Sequence, residues 1–569
     1  MEDQYAYLFE AKGIQSYILD SGRLIDLTGG SDLIASLCSS DGKTDLLAKV
    51  LVAAEVSGLE ESRRAGAAFC LHGDKESLDR VRALWRLTVA LSRPGLPFAD
   101  IDPVRHGENF GKTLEAAYGA QPGVRNNTQA FLLPAGHAAA AFIPRTGAVA
   151  TTIDQGGENE PLDAVRGPQR RRGRDIADRP DEDRLANAFL PEDEDAAKAY
   201  RFPRHFDTVE ATETNPAFPF LGEDRRVGVV HVDLSGLGQV FRTVAENARD
   251  AADLRKVANA IEAAIEGAAR AASEAILLPA AARPGDKVYA TLLGRKKDQK
   301  SSATHWIVPA RPIVLGGDDI TVIVRADLAL PFAARLLEEI EIATQAALGK
   351  LANGQLPSRL SACAGVAITG SGHPFLAAAH LADGLCATAK VKVKVPLTKD
   401  EANDAPDRGF RIYPSALAFA VVTATIDRDY ADHLAAEETV PDEGLVLSGG
   451  PYLVAGTALK GLKPWAALRD LAAELGRVPG IGKINESLSA RFNSKEEALR
   501  LYERFTEVLS MSSSSDALKR IDAALAQCVG EVPEGVDRLD AILPVLSDAL
   551  ELVDVGMAVD QISMDGRKL

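Results

Sequence analysis

IVLGGDDITVIV, residues 313–324, sets two apolar, β-branched runs around a turn of two glycines and two acids. Runs of Val, Ile and Thr broken by Gly and Asp read as two strands of a hairpin. Gly316 and Gly317 supply the positive φ that a tight turn needs, and they let a phosphate approach the backbone. Asp318 and Asp319 then stand at the tip as hard oxygen ligands, the kind Mg²⁺ combines with substrate phosphates. Gly and Asp are also ordinary turn formers, so the tetrapeptide alone fits a plain hairpin equally well. A metal site needs a further acid from a neighbouring strand. VVHVDLSG, residues 229–236, offers Asp233 at the end of a buried strand. Buried strands flanking a cluster of acids need a reason for that charge, and a bound metal is the simplest.

Working outward, strands at 306–315 and 320–325 flank the turn. A strand opens at 227, an Ala-rich helix covers 239–275 with breaks, and a helix runs over 331–351. A strand follows at 360–369, a helix at 374–390, and further strand at 409–413 and 416–423. The order is βαββαβ, the ferredoxin-like plan. Towards the N-terminus the periodicity predicts a strand at 4–10, a helix over 14–25, a break at LTGGSD (27–32) and a new helix from 33. Strand at 65–72, helix at 77–90 and strand at 98–104 complete a second unit of similar order. The repeat is one of element order and not of residue identity. Residues 154–197, rich in Gly, Pro, Asp, Glu and Arg, read as a long surface loop. The run Arg170–Arg174 within it reads as solvated charge, with phosphate contact as the alternative. After about residue 445 the spacing is helical, at 466–475, 495–509, 515–528 and 536–553. The expected organisation is α+β, with two ferredoxin-like palm domains at 1–125 and 227–440. An interdomain module with a flexible loop lies between them at 126–226, and a helical bundle follows at 441–569.

The chain has 569 residues, enough for about three to four domains. Its net charge of −17 argues against broad coating of nucleic acid, where phosphate neutralisation dominates, but suits a nucleotide whose charge is carried by metal ions. No apolar run reaches the roughly 20 residues needed to span a bilayer, and the N-terminus has no signal-peptide pattern, so a cytoplasmic protein without membrane partners is expected. Cys38, Cys70, Cys363, Cys386 and Cys528 form no CxxC pair, so buried thiols are expected and zinc is not. His231 and His373 read as structural residues. On position alone, Lys390, closing LAAAHLADGLCATAK, is a cation at a helix C-terminus; it could also meet a triphosphate.

These residues resemble a family, the large polymerase/cyclase subunit of type III CRISPR effector complexes. YLFEAKGIQSYI and RLIDLTGGSDLIA resemble the opening of its first, degenerate palm, and AGAAFCLH its second strand. PRTGAVA at 144–150 stands where the family has a small interdomain module. GVVHVDLSGLGQVF, GGDD, CAGVAI and LADGLCATAK resemble its second, active palm. The resemblance spans about residues 5–425. It implies joining of ATP into 3′–5′ cyclic oligoadenylates, second messengers of antiviral defence, with two Mg²⁺ or Mn²⁺ ions. It implies that Asp233, Asp318 and Asp319 are the catalytic metal ligands. Gly316, Gly317, Ser235, Gly236 and Lys390 would face the phosphates, and Gly29, Gly30 and Ser31 would lie near the acceptor nucleotide. RNA-binding subunits and guide or target RNA are the implied partners. The family's N-terminal HD nuclease and its CxxC zinc pairs are missing here. A diguanylate cyclase is a poorer match, because Ile320 follows GGDD and two palms share the chain. Two readings stand: an enzyme joining nucleoside triphosphates, with ATP favoured by resemblance, and a catalytically silent scaffold or nucleotide sensor.

Overall fold

In the computed structural model the described residues are 4–39, 45–65, 67–125, 133, 136, 140–143, 147–154, 159–206, 216–248, 250–282, 305–316, 319–351, 356–394, 410, 412–422, 434, 438–441, 443–455, 461–511, 515–530, 532 and 536–557. Gly317 and Asp318 lie outside them.

The first unit contains β1 (Tyr5–Ala11), α1 (Ile14–Leu19), α2 (Leu24–Ala35), α3 (Leu46–Ala53), β2 (Glu60–Ala65), β3 (Ala68–Gly73), α4 (Lys75–Ser92), β4 (Phe98–Asp100), β5 (Val104–Arg105) and α5 (Phe110–Arg125). Its sheet runs β2-β3-β1-β4, all antiparallel, with β5 continuing beside β1. This is the strand order of a βαββαβ unit. β2 is not among the expected strands. Its sequence EESRRA has no apolar alternation, because it is an edge strand held partly by an ion pair from Glu61 to Arg255, 2.8 Å apart.

The second unit contains β6 (Arg226–Ser235), α7 (Leu237–Asn247), α8 (Ala251–Ala272), β7 (Ala310–Gly316), β8 (Asp319–Arg325), α9 (Ala326–Lys350), β9 (Ser361–Gly370), α10 (Phe375–Lys394) and β10 (Ser415–Val421). Its sheet starts β7-β8-β6-β9, the same order as the first, and continues through β10 to β11 (Tyr452–Ala455) and β12 (Lys463–Pro464). Side chains alternate across it. Val230, Val232 and Leu234 of β6, with Ile320 and Val322 of β8, join a core made with α8, α9 and the C-terminal helices. Val227, Val229 and Ile323 point the other way, into a core shared with α10 and with Tyr7, Phe9 and Trp85 of the first unit. The two units are thus packed through the second sheet's other face.

The structure differs from the sequence reading elsewhere too, and the helix expected over 14–25 ends at Leu19, with α2 starting at Leu24. LTGGSD is not a break. It lies inside α2, where Gly29 lets a neighbouring helix approach to backbone contact and Gly30 faces the Gln169 side chain. That neighbour, α6 (Arg166–Asp178), lies where a surface loop is expected. Its buried face is Gly167, Gln169, Arg170, Gly173, Ile176 and Ala177, so a search for apolar periodicity passes over it. Arg170 is not solvated: it is 3% exposed, bonded to Asp26 at 2.9 Å and to Asp154 at 2.7 Å. α9 begins five residues before Pro331, at Ala326, just after Arg325, which pairs with Asp327 at 2.6 Å. Finally, the region after residue 445 is not all helix. Before α11 (Trp465–Gly476), β11 and β12 extend the second sheet. α12 (Gly482–Arg491), α13 (Lys495–Met511), α14 (Ser515–Val529) and α15 (Arg538–Asp554) then cover that sheet's α8–α9 core. No helix among the described residues is long and apolar enough to cross a membrane.

Candidate active site

β6 and β8 are neighbours, and their register sets Asp233 directly opposite Asp319. Asp319 in turn pairs with Gly316 across the hairpin. Period two along each strand puts His231 with Asp233, and Thr321 with Asp319, on the face that meets the first unit. Two carboxylates facing each other across antiparallel strands repel unless cations offset them. Lys390 forms an ion pair with Asp233 and donates to the Leu234 carbonyl at 3.0 Å. α10 can place that lysine because it lies against the bare backbone of β9 at Gly365, where a Cβ would come within 1.8 Å of the Ala382 oxygen. The helix runs on to Lys394, so Lys390 stands one turn before its end and does not close it.

His231 lies among these acids. Its Nδ1 lies 3.2 Å from Asp319 Oδ1 and its Nε2 lies 3.5 Å from Asp383 Oδ1. Burial opposes a charged ring here, but Asp319, Asp383 and Asp233 outweigh it and hold the pKa above its ordinary value. Gln15 of α1 also reaches in from the first unit and donates to Asp319 Oδ2 at 3.3 Å. Asp319 Oδ1 is buried, and His231 meets it as an ion pair without good hydrogen-bond geometry. Period two could have flagged His231, two residues before Asp233. No spacing signal points to Gln15, which comes from another unit.

A cavity of about 450 Å³ opens between the units, with Glu10, Gln15 and Ser31 on one side and Gly316, Asp319 and Asp383 on the other. Ser31 is 2% exposed and its hydroxyl has no hydrogen-bond partner. Gly29 and Gly30 do not join Ser31 there: a Cβ on either would meet Gln169 of α6. Ser235 follows Asp233, buried, its hydroxyl also without a partner. Gly236, at φ 84°, turns the chain into α7. The structure therefore gathers Asp233, Asp319, Gly316 and Lys390 at one place, with Ser235 and Gly236 next along the chain from Asp233 and Ser31 across the cavity.

The donor set is compatible with a hard cation: two carboxylates at facing positions, one with a buried oxygen that makes no well-aligned hydrogen bond. No group of three or more His, Cys, Asp or Glu converges as a metal site among the described residues. All five cysteines are buried and free.

No protein-family model matches the chain, and no curated protein matches it. It is similar over nearly its whole length to solved Csm1 structures. One is a crystal structure of Csm1 in T. onnurineus, with 13% identity and a TM-score of 0.43 over 96% of this chain and 70% of that one. Another is a Csm1-Csm4 cassette in complex with cA4, with 13% identity and a TM-score of 0.41 over 98% and 70%. A third is the cassette in complex with one ATP, with 12% identity and a TM-score of 0.40 over 96% and 70%.

Proposed function

We propose that this chain is a palm-type nucleotidyltransferase that joins nucleoside triphosphates through 3′–5′ bonds and releases pyrophosphate. The observation that supports it is the facing pair Asp233–Asp319 beside the Gly316 hairpin, at a cavity shared by two units of the same strand order. Asp233 and Asp319, with Asp318 as the third ligand on sequence grounds, would hold Mg²⁺ or Mn²⁺. Such ions supply charge stabilisation for the departing pyrophosphate and acidify the attacking hydroxyl. The chain's own residues do the rest. Gly316 leaves the hairpin open to a phosphate. Ser235 and Gly236 offer a hydroxyl and a backbone amide at the start of α7. Lys390 is near enough to Asp233 to exchange that carboxylate for a triphosphate oxygen. Gln15 orients Asp319 from the first unit.

ATP as substrate and a cyclic oligoadenylate as product follow from the sequence resemblance. So does work within a type III complex, with RNA-binding subunits and guide or target RNA as partners, as a source of second messenger in antiviral defence. A second reading, a silent scaffold or nucleotide sensor, draws on the Lys390–Asp233 ion pair, which already satisfies one of the two acids. Product analysis separates the readings. The purified chain is incubated with each ribonucleoside triphosphate and Mg²⁺ or Mn²⁺, with and without target RNA, and products are resolved by mass. A cyclic or linear oligonucleotide supports the enzyme. Nucleotide binding without product under every condition supports the sensor.

A further inference from the structure

The two units share residues as well as element order. In the first, β1 carries Glu10 near its end, and three residues later Gly13, at φ 54°, leads into α1. In the second, β6 carries Asp233 near its end, and three residues later Gly236, at φ 84°, leads into α7. Both glycines adopt the left-handed conformation that other residues reach only at a cost. The partners correspond too. Glu10 pairs with Ala68, at the start of β3, as Asp233 pairs with Asp319, at the start of β8. Lys12 forms an ion pair with Glu10 as Lys390 does with Asp233. Glu10 and Asp319 line the same cavity.

The correspondence breaks at two points: Lys12 comes from the chain just after Glu10 whereas Lys390 comes from α10, and Ala68 stands where Asp319 would be. The first unit therefore offers one carboxylate where the second offers two, and that carboxylate has a lysine beside it. A single acid offset by a lysine makes a poor metal bridge. It remains a strong acceptor for hydroxyl donors, and an acid beside a nucleotide commonly takes the ribose hydroxyls. The partnerless Ser31 hydroxyl lies in the same cavity.

We propose that Glu10 is a positioning residue whose carboxylate accepts a hydrogen bond from a ribose hydroxyl of a nucleotide held on the first unit. It holds the accepting nucleotide towards Asp233 and Asp319 and takes no part in the bond change. This rests on the nucleotidyl-transfer reading. The test is calorimetric titration with Mg²⁺ and α,β-methylene analogues of the four ribonucleoside triphosphates, continued with the one that binds best. Wild type is expected to bind two per chain. Glu10→Gln should weaken one event by roughly 10- to 100-fold, the size of a lost charge-assisted hydrogen bond, and leave the other unchanged. The deoxyribose analogue should lose that factor in wild type and clearly less in Glu10→Gln, whose amide oxygen accepts only a neutral hydrogen bond. Glu10→Asp should restore part of the affinity, and an unchanged thermal midpoint in all three proteins excludes a folding effect. Two unaltered binding events in Glu10→Gln, or an equal deoxyribose loss in both proteins, would overturn the inference while leaving the nucleotidyltransferase intact. Wild type that binds no nucleotide would remove both.

Discussion

A methyl group at position 29 would sit 1.8 Å from the carbonyl oxygen of Gln169, whereas at position 30 it would meet only the end of the Gln169 side chain, at 3.1 Å. Backbone cannot yield as a side chain can. Gly29→Ala should therefore separate α2 from α6 and cost about 1–3 kcal/mol or more, while Gly30→Ala should be nearly neutral. Denaturant unfolding of the two variants checks the contrast, which a nucleotide-binding role for both glycines alone does not predict. Which site residues were legible follows from the same physics. Asp233 and the Gly316 turn announce themselves because acids and glycines at strand ends are conspicuous against apolar runs. That Asp233 and Asp319 lie on neighbouring strands follows from the strand order of a βαββαβ unit, whereas their face-to-face register needs the structure. His231 was within reach of a period-two count. Gln15 was not, since nothing local tells a residue of α1 that it will touch Asp319 more than 300 positions away. LTGGSD misled because Gly-Gly-Ser-Asp is turn composition, and only the backbone of α6 explains glycines inside a helix.

At the scale of elements, α6 is a helix whose buried contacts are ionic. Arg170 meets Asp26, Asp154 and Glu160, all inside a polar junction between α2 and the chain around residue 154. Replacing it with Met keeps most of the volume and leaves Asp26 buried without its cation, while Asp154 keeps only Arg174. Breaking such a network from one side costs about 3–5 kcal/mol, so Arg170→Met should lower the thermal midpoint clearly. Arg172→Met should do less, because Arg172 is more exposed and mainly serves Asp32. A scanning-calorimetry comparison decides it, and equal small effects would show the network to be ornamental. Hydrophobic patterning is blind to an element of this kind, while the strands β6, β8 and β9, buried on both faces, were plain from their unbroken apolar runs.

For the whole molecule, the second sheet continues into the C-terminal region, and Asp548 of α15 sits at that seam. It accepts from the Tyr452 hydroxyl at 2.5 Å and the Gly449 amide at 2.9 Å. Burial raises its pKa from 3.8 to about 7, despite those donors and Lys463. A carboxyl whose folded pKa lies above its unfolded value binds more protons in the native state, so stability falls as pH rises from about 4 to about 7 and is flat above. The thermal midpoint of wild type should therefore drop across that window, and Asp548→Asn should drop less. An identical pH slope in both proteins would contradict the assignment. The helical character of this region was readable from its spacing; the short strands β11 and β12 were not, because four and two residues carry too little pattern.

In the function we propose, Asp233 and Asp319, facing each other across β6 and β8, perform nucleotidyl transfer. Its most direct test is pyrophosphate release from the best nucleoside triphosphate with Mg²⁺, compared among wild type, Asp319→Asn and Asp233→Asn at matched thermal stability. Wild type should release pyrophosphate and each variant should lose about 100-fold or more, the scale on which removing a group that stabilises transition-state charge acts. Release that persists undiminished in Asp319→Asn would contradict it.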